Sequence, residues 1–459
     1  MPNSPALNAA KAPPLELTDG SRVGIIGGGP AGSFFAYFLL HIAQRVGLDL
    51  RVDIYEARDF SALAPMGCNM CGGIISESLV QHLAAEGINL PPTVVQRGID
   101  SYYLHMDVGS VRIETPLHEM RIAAVHRGAG PRGAKLPLRF RGFDGYLLEL
   151  AEAKGAQVVR KRVGSVVWDD GRPQVTTPDG ARQTYDLLAV AAGVNTSTLK
   201  LFQGLKPDYK APVSTKTYIC EFLLGEETIR KHLGSSMHVF LLNLPRLEFA
   251  AFIPKGDYLT FCLLGHDIDS GLVQTFLASR EVKRCLPPGW EPPKDFCHCS
   301  PRLSIHGAKH PFADRLIFIG DCGVTRLYKD GIGAAYRTAK AAAVAAIFAG
   351  VSEDAFRRHF WPACRRISND NRIGQLVFAV THLIQKLRFL RRGVGKMVSG
   401  EQQRPGARRR MSLVLWDTFT GSAPYRDVFL RCLHPAFWGR LFWDTLAGNL
   451  HPNHTSSRG

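Results

Sequence analysis

Arg22-Val-Gly-Ile-Ile-Gly-Gly-Gly-Pro-Ala-Gly32 decides the fold. Val23, Ile25 and Ile26 read as a short buried strand. Gly27, Gly29 and Gly32 then give the spacing G-x-G-x-x-G, and residues 33–44 continue as a helix that is apolar almost all round. The first glycine permits a tight turn, the second lets a pyrophosphate reach the backbone, and the third lets helix and strand pack closely. Free N–H groups and the dipole at that helix N-terminus favour an anion. Residues 51–56 form the second strand, and Glu56 at its end is placed to bond a ribose hydroxyl. The glycine pattern alone is weak. Strand, glycines, helix, second strand and acid together define a dinucleotide site. Its candidate contacts are Gly27, Gly28, Gly29, Pro30, Ala31, Gly32, Glu56, Ala57 and Arg58.

The 459 residues suffice for two or three domains, and 45% hydrophobic residues suit a globular chain. Residues 1–20 are rich in Pro and Ala without a continuous apolar segment, so they read as a flexible tail and not a secretory signal. No stretch reaches about 18 nearly uncharged apolar residues, so no transmembrane helix is expected. The 10 cysteines show no small-scaffold spacing, which suits a reducing compartment and a cytoplasmic location. Net charge is +16, and residues 365–410 hold 12 Lys/Arg against 2 Asp/Glu. A surface of anionic lipid explains this cluster better than nucleic acid. The expectation is peripheral contact with the inner face of a membrane and no nucleic-acid partner.

Ala64-Pro-Met-Gly-Cys-Asn-Met-Cys-Gly-Gly-Ile-Ile-Ser76 reads as a loop leading into a helix over 77–86. Cys68 and Cys71 form C-x-x-C, and several readings stand open. A zinc half-site needs further ligands, for which Cys297-His298-Cys299 is the available pair. A redox dithiol is a second reading. A third is a loop lining a cofactor ring, with Cys71, Gly72 and Gly73 bringing a thiol and bare backbone close. Plain structural cysteines are the fourth, and no metal site is assigned. Gly128-Ala-Gly-Pro-Arg-Gly133 repeats the glycine spacing, but Pro137 follows and no helix opens, so it is read as a loop.

Residues 99–115 alternate in the strand manner, and 121–125 add a short strand. Asp144 is the expected cap of a helix over 146–154. Strands are expected at 157–167, 174–177 and 185–191, the last ending in Ala192-Gly193-Val194-Asn195, where Gly193 is a candidate contact. Residues 218–224, 237–242, 247–253 and 258–264 are closely spaced strands of an antiparallel sheet, and 273–280 is helical. Arg315-Leu-Ile-Phe-Ile-Gly-Asp321 is another buried strand. After it, Gly331-Ile-Gly-Ala-Ala335 opens a long Ala-rich helix.

These separated motifs resemble the FAD-dependent oxidoreductases of the glutathione-reductase-like and p-hydroxybenzoate-hydroxylase-like superfamily. Within it the sequence is most similar to the geranylgeranyl reductase family. The resemblance covers residues 22–350. It implies that Asp321 bonds the ribityl chain, with Gly320 a further cofactor contact, and that Gly331, Ile332, Gly333 and Ala334 face the N1/O2 edge of the flavin. A helix N-terminus there stabilises the charge left by two-electron reduction. Cys71-Gly72-Gly73 resembles the family's Cys-Gly-Gly loop, and Phe252-Ile-Pro-Lys-Gly256 its Phe-Pro-Lys-Gly turn. The family's aromatic Tyr and Trp before that turn are absent from Glu248-Phe-Ala-Ala-Phe-Ile-Pro254. So are both Trp residues of the flavin-halogenase Trp-x-Trp-x-Ile-Pro motif. The family's Asn-Pro before the second glycine pair is replaced by Tyr328-Lys329-Asp330.

The resemblance implies bound FAD, NAD(P)H or another electron donor acting transiently, and reduction of an alkene in a prenyl or similarly apolar substrate. Cys71, Tyr328 and Lys329 are the candidate catalytic residues. A flavin monooxygenase and a non-catalytic lipid-binding protein are the other readings of the same scaffold. The expected fold is α/β. A Rossmann-like FAD domain (21–98, 140–210, 301–350) carries an inserted antiparallel-sheet substrate domain (99–139, 211–300). A C-terminal helical, basic region follows over 351–459. There, residues 374–390 show helical spacing with one apolar face, and a Gly-rich basic stretch runs on to Arg410. A helical cap packed on the FAD domain, with a solvated basic loop, and an interfacial helix pair with an Arg collar are both compatible with it. Oligomeric state is not legible.

Overall fold

A computed structural model describes residues 15–68, 71–114, 120–132, 141–194, 196–404 and 408–450. The expected tail up to residue 14, Gly133 of the second glycine repeat, and Asn195 lie outside the described residues. The helices are α1 (Pro30–Val46), α2 (Glu77–Ala85), α3 (Phe143–Ala153), α4 (Glu226–His232), α5 (Ser270–Ala278), α6 (Arg280–Lys283) and α7 (Gly331–Phe348). They continue with α8 (Glu353–Ala355), α9 (Trp361–Lys386), α10 (Arg388–Gln403), α11 (Arg410–Thr420), α12 (Tyr425–Cys432) and α13 (Pro435–Leu450).

The first sheet has 6 strands. Ser21–Ile26 lies between Leu187–Val190 and Leu50–Tyr55, parallel to both. Gln157–Val159 extends one side, and Leu316–Phe318 with Phe312–Ala313 the other. Continuous apolar runs suit these strands because helices cover the sheet. Phe34, Phe35, Phe38 and Leu39 of α1 are buried in one core with Ala339, Ala342 and Ala343 of α7. Alanines on α7 let two helices cross closely over the strand ends.

The second sheet has 7 strands. It contains the expected antiparallel run, Tyr218–Leu223, Tyr258–Gly265, Leu247–Lys255 and Ser236–Phe240. Ser101–Met106 joins it in parallel to Ser236–Phe240. The single strand expected over 99–115 is in fact broken. Val95–Ile99 pairs with Ile122–Val125 in a separate sheet, and Ser101–Met106 turns back on Gly109–Glu114 as a hairpin. The expected strand over 157–167 is likewise split into Gln157–Val159 and Ser165–Asp169.

Asp144 does not cap its helix. Gly142 is the N-cap of α3, and Asp144 lies inside the first turn with its carboxylate turned to Arg127. The basic stretch after residue 390 is not a loop. It continues as α10, whose glycines face a neighbour: a Cβ on Gly393 would overlap the Thr445 hydroxyl of α13.

Candidate functional site

A cleft of about 1040 Å³ runs between the first sheet, the second sheet and the C-terminal helices. At one end is the turn that opens the chain's first helix. Gly27 has φ 106°, and a Cβ there would sit 2.6 Å from the Ala191 carbonyl oxygen. A Cβ on Gly32 would overlap the Gly27 carbonyl, so that position admits only glycine if α1 is to lie on its strand. The N-terminus of α1 has Gly29 as cap, no side-chain capping bond and no acid in its first turn. Its N–H groups are therefore open to an anion from the cleft. Glu56 accepts hydrogen bonds from the Gly28 N–H (2.9 Å) and the Arg58 N–H (2.9 Å), which fixes the carboxylate at the cleft edge.

A second helix N-terminus opens onto the same space. Gly331 and Ile332 of α7 border the cleft, beside Asp321 and Thr325. Burial pushes the Asp321 carboxyl up, and Thr325 and Arg127 partly offset this. Gly320 has φ 66°, and a Cβ there would meet the Ala31 side chain at 2.6 Å, so the strand end approaches α1 closely. Asp330, with φ 52°, precedes α7. Its carboxylate takes the Ser76 hydroxyl (2.7 Å) and the Arg326 guanidinium (3.0 Å), and it also bonds Arg337. Burial opposes its charge, but Arg337 and Arg326 hold the carboxyl below the usual range.

The structure brings most of the expected contacts to this one cleft. Gly27, Gly29, Pro30, Ala31, Glu56, Ala57, Arg58, Cys71, Gly72, Gly73, Gly193, Asp321, Gly331 and Ile332 border it. Gly28, Gly32, Gly320, Gly333 and Ala334 do not border it. Gly32, Gly320 and Gly333 are packing positions. A Cβ on Gly333, for example, would overlap the Asp330 carboxylate.

Of the candidate catalytic residues, Cys71 and Tyr328 both border the cleft. Burial pushes the Tyr328 hydroxyl up, with Glu248 adding to it. Lys329 touches the cleft but carries its ammonium away from it. Nζ donates to the carbonyls of Asp417 (2.6 Å) and Ala423 (3.3 Å) and lies 3.9 Å above the Tyr425 ring. Burial, then Arg326, lowers its pKa well below the ordinary lysine value.

Sequence reasoning missed Arg127 and the group around Lys255. Arg127 is buried at the cleft wall and forks onto Asp144, at 2.5 and 2.8 Å. Burial opposes its charge, and Asp144 and then Cys71 overcome that and keep it ionised. Lys255 is fully buried and pairs with Glu221 at 3.3 Å. Glu221 also accepts from Thr260 (2.8 Å) and faces His126 Nδ1 at 3.5 Å. Burial disfavours the Glu221 carboxylate, but Lys255 and His126 hold it well below the usual range. The Lys255 ammonium lies 3.0 Å from where a Gly73 Cβ would be, directly behind the Cys71-Gly72-Gly73 loop. Lys255 is the last residue of its strand, before the Gly256-Asp257 turn, a position where a lysine reads as a solvated turn residue, so the sequence carried no signal for its burial.

The remote cysteine pairs do meet. Cys68, Cys71, Cys297 and Cys299 border one small cavity of about 30 Å³. Burial raises the pKa values of Cys297 and Cys299, so both are thiols. Their sulfurs do not converge on a point. Among the described residues, the three-residue group whose ligand atoms lie within 4.8 Å is instead His105, His238 and Cys285. There His105 Nε2 and His238 Nδ1 are 2.9 Å apart, and the outer nitrogens face the Ser110 hydroxyl (2.7 Å) and the Leu233 carbonyl (3.4 Å). Burial lowers both histidine pKa values, so this is a neutral hydrogen-bonded chain needing no ion.

No family model and no curated protein matches the sequence. Solved structures do match. Halogenase PltM in complex with phloroglucinol and FAD has a TM-score of 0.57 at 11% identity, over 95% of this chain and 94% of that one. A flavoprotein/dehydrogenase from Cytophaga hutchinsonii has a TM-score of 0.59 at 13% identity, over 94% of this chain and 100% of that one. A variant of 2-methyl-3-hydroxypyridine-5-carboxylic acid oxygenase has a TM-score of 0.55 at 16% identity, over 81% and 94%. The α/β architecture with its second sheet and C-terminal helices is thus the fold of FAD-binding flavoproteins.

Proposed function

We propose that the protein is an FAD-dependent oxidoreductase that reduces an alkene in a prenyl or similarly apolar substrate. Two open helix N-termini on one cleft suit a pyrophosphate at α1 and a flavin ring at α7. In this reading Glu56 bonds the ribose, Asp321 the ribityl chain, and the Gly331 and Ile332 amides face the ring edge that gains negative charge on reduction. When bound, FAD supplies the two-electron transfer.

One observation carries the reductase reading: the two motifs behind the geranylgeranyl reductase resemblance touch. A Cβ on Gly72 would lie 2.7 Å from Cys262 Sγ and 3.3 Å from Ile253, and Gly73 abuts Lys255. The Cys-Gly-Gly loop is thus laid on the strand that carries Phe-Ile-Pro-Lys, and Phe249 and Ala251 of that same strand line the cleft with Met237 and Phe419. That lining excludes water and holds an apolar chain without polar partners. Each double bond takes one hydride equivalent and one proton. The electrons come from NAD(P)H or another carrier that binds transiently. Cys71 and Tyr328 are the candidate proton donors at the cleft; Lys329 Nζ is tied to carbonyls.

A monooxygenase on an apolar or aromatic substrate is the second reading, favoured by the shared fold with the pyridine-carboxylate oxygenase. The test is to load the protein with FAD, reduce it photochemically without oxygen, and add a geranylgeranyl lipid. Anaerobic reoxidation with loss of a double bond, read by mass spectrometry, is the expected result. Reoxidation by air coupled to substrate hydroxylation, with the lipid inert, establishes the second reading instead. Gly29→Val should abolish FAD retention; a yellow variant would overturn the pyrophosphate assignment at α1. A wild-type protein that takes up no FAD would leave only the lipid-binding reading.

A further inference from the structure

We propose that α13, with α10 beside it, docks the protein in the plane of an anionic lipid bilayer. Helix α13 is inside out. Its outward residues include Trp438 (53% exposed), Phe442 (66%), Trp443 (65%), Leu446 (46%) and Leu450 (74%), and none of its exposed positions is charged. Its one acid faces inward: Asp444 is 3% exposed and pairs at 2.6 Å with the half-buried Arg440. Thr445 and Asn449 also spend their polar atoms on the chain, Thr445 on the Leu441 carbonyl and Asn449 on the Phe389 carbonyl. A water-facing helix has the reverse arrangement. Two tryptophans and a phenylalanine on one face are the composition of a headgroup-level anchor.

The surroundings identify the occupant. Helix α10 runs antiparallel along α13. Gly393 faces Thr445, the Gly400 position lies 3.5 Å from the Arg440 guanidinium, and Arg392 reaches Asn449 at 3.3 Å. This puts Lys386 and Arg388 at the Leu450 end and Arg404 at the Trp438 end, so exposed cations bracket the apolar face. Over 365–450, nine Lys/Arg are exposed among the described residues, against one acid, Asp427. An apolar strip framed by cations matches acyl chains beneath anionic headgroups. No described helix is long and apolar enough to cross a membrane, so the 16-residue α13 lies in the surface. The segment that follows, His451-Pro-Asn-His-Thr-Ser-Ser-Arg-Gly459, has no large apolar side chain with which to cover the face.

The test uses the full chain and vesicles, and reads binding and not turnover. Vesicles of phosphatidylcholine with an equal share of phosphatidylglycerol should sediment the protein, and phosphatidylcholine alone should do so at least about tenfold less well. Raising salt from about 0.1 to about 0.5 M should weaken binding a further ~10-fold, because the Debye length shrinks. Brominated acyl chains should quench tryptophan emission. The triple variant Trp438→Ser/Phe442→Ser/Trp443→Ser should lose at least about tenfold in partition while its melting temperature stays that of the wild type. Arg388→Glu/Arg404→Glu should lose binding to the anionic vesicles alone. Equal binding of wild type and triple variant, or no binding to anionic vesicles, overturns the proposal. A wild-type dimer that the triple variant converts to monomers, without vesicle binding, assigns the face to a second copy and also overturns it.

Discussion

Helices α7 and α13 are close in length, 18 and 16 residues, and both are built mainly from apolar and small side chains, yet they are used in opposite ways. In α7 the apolar residues Ala334, Ala339, Ala342 and Ala346 face the chain's own core, against α1. In α13 the inward stripe is Phe437, Leu441, Asp444 and Gly448, and the larger apolar residues point out. Apolar composition says that a helix is covered by something. It does not say whether the cover belongs to the chain. The difference lies in how much of the other face is left open: on α7 only Val344 and Phe348 are exposed, with Arg337 and Lys340 paired to Asp330 and Glu86, whereas on α13 Trp438, Phe442, Trp443, Leu446 and Leu450 all are.

The strongest test of the internally covered half is Gly32→Ala on α1. The added methyl overlaps the Gly27 carbonyl, backbone against backbone, and no rotamer change relieves it. Overpacking of this kind costs about 3 kcal/mol, the upper part of the usual range. Urea denaturation should show the midpoint falling with the slope unchanged. A variant as stable as the wild type would mean that α1 does not lie on its strand as described.

An effect at least as large concerns the buried charge behind the Cys-Gly-Gly loop. Lys255→Met leaves Glu221 in the interior without its main counter-charge, at a cost of about 3–5 kcal/mol. The pH dependence gives a signature that mere loss of packing lacks. A carboxyl held below its unfolded value, about 4.3, adds stability above that pH and loses it as pH falls through and below it. Removing Lys255 takes away the cause of the depression and leaves burial to push Glu221 up. The penalty of Lys255→Met should therefore be larger at neutral pH than near pH ~4. A penalty independent of pH would make Lys255 a space-filling residue.

The same contrast explains what was legible in the sequence. The turn at Gly27, Gly29 and Gly32 and the Asp321–Ile332 segment are local: strand, turn and helix follow one another, so spacing encodes geometry. Both ends of the cleft could be read. Arg127 and Asp144 are joined only by folding, and nothing near Asp144 distinguishes a buried partner from a helix cap. The cysteines at 68, 71, 297 and 299 share a cavity for the same long-range reason. Helix α10 was hidden by its glycines. They read as loop residues, but Gly393 is there because α13 comes too close for a side chain. Lys329 stood in the right segment, and only the structure shows its ammonium turned to α11.

The smallest expected effect is the most diagnostic of the comparison. Phe442→Ser and Trp443→Ser replace large apolar side chains that are 66% and 65% exposed. An equivalent change in the α1–α7 core removes buried contacts and costs several kcal/mol, about 3–5 for a phenylalanine taken to alanine. On α13 no such contacts exist to lose, so each change should stay within about 0.5 kcal/mol in chemical denaturation. It should also lessen self-association, since an exposed apolar patch this large is an aggregation site in water. A loss above about 2 kcal/mol would show that part of the chain itself covers the face. Helices α7 and α13 would then be two cases of one arrangement, and the outward apolar residues of α13 would have an internal cover.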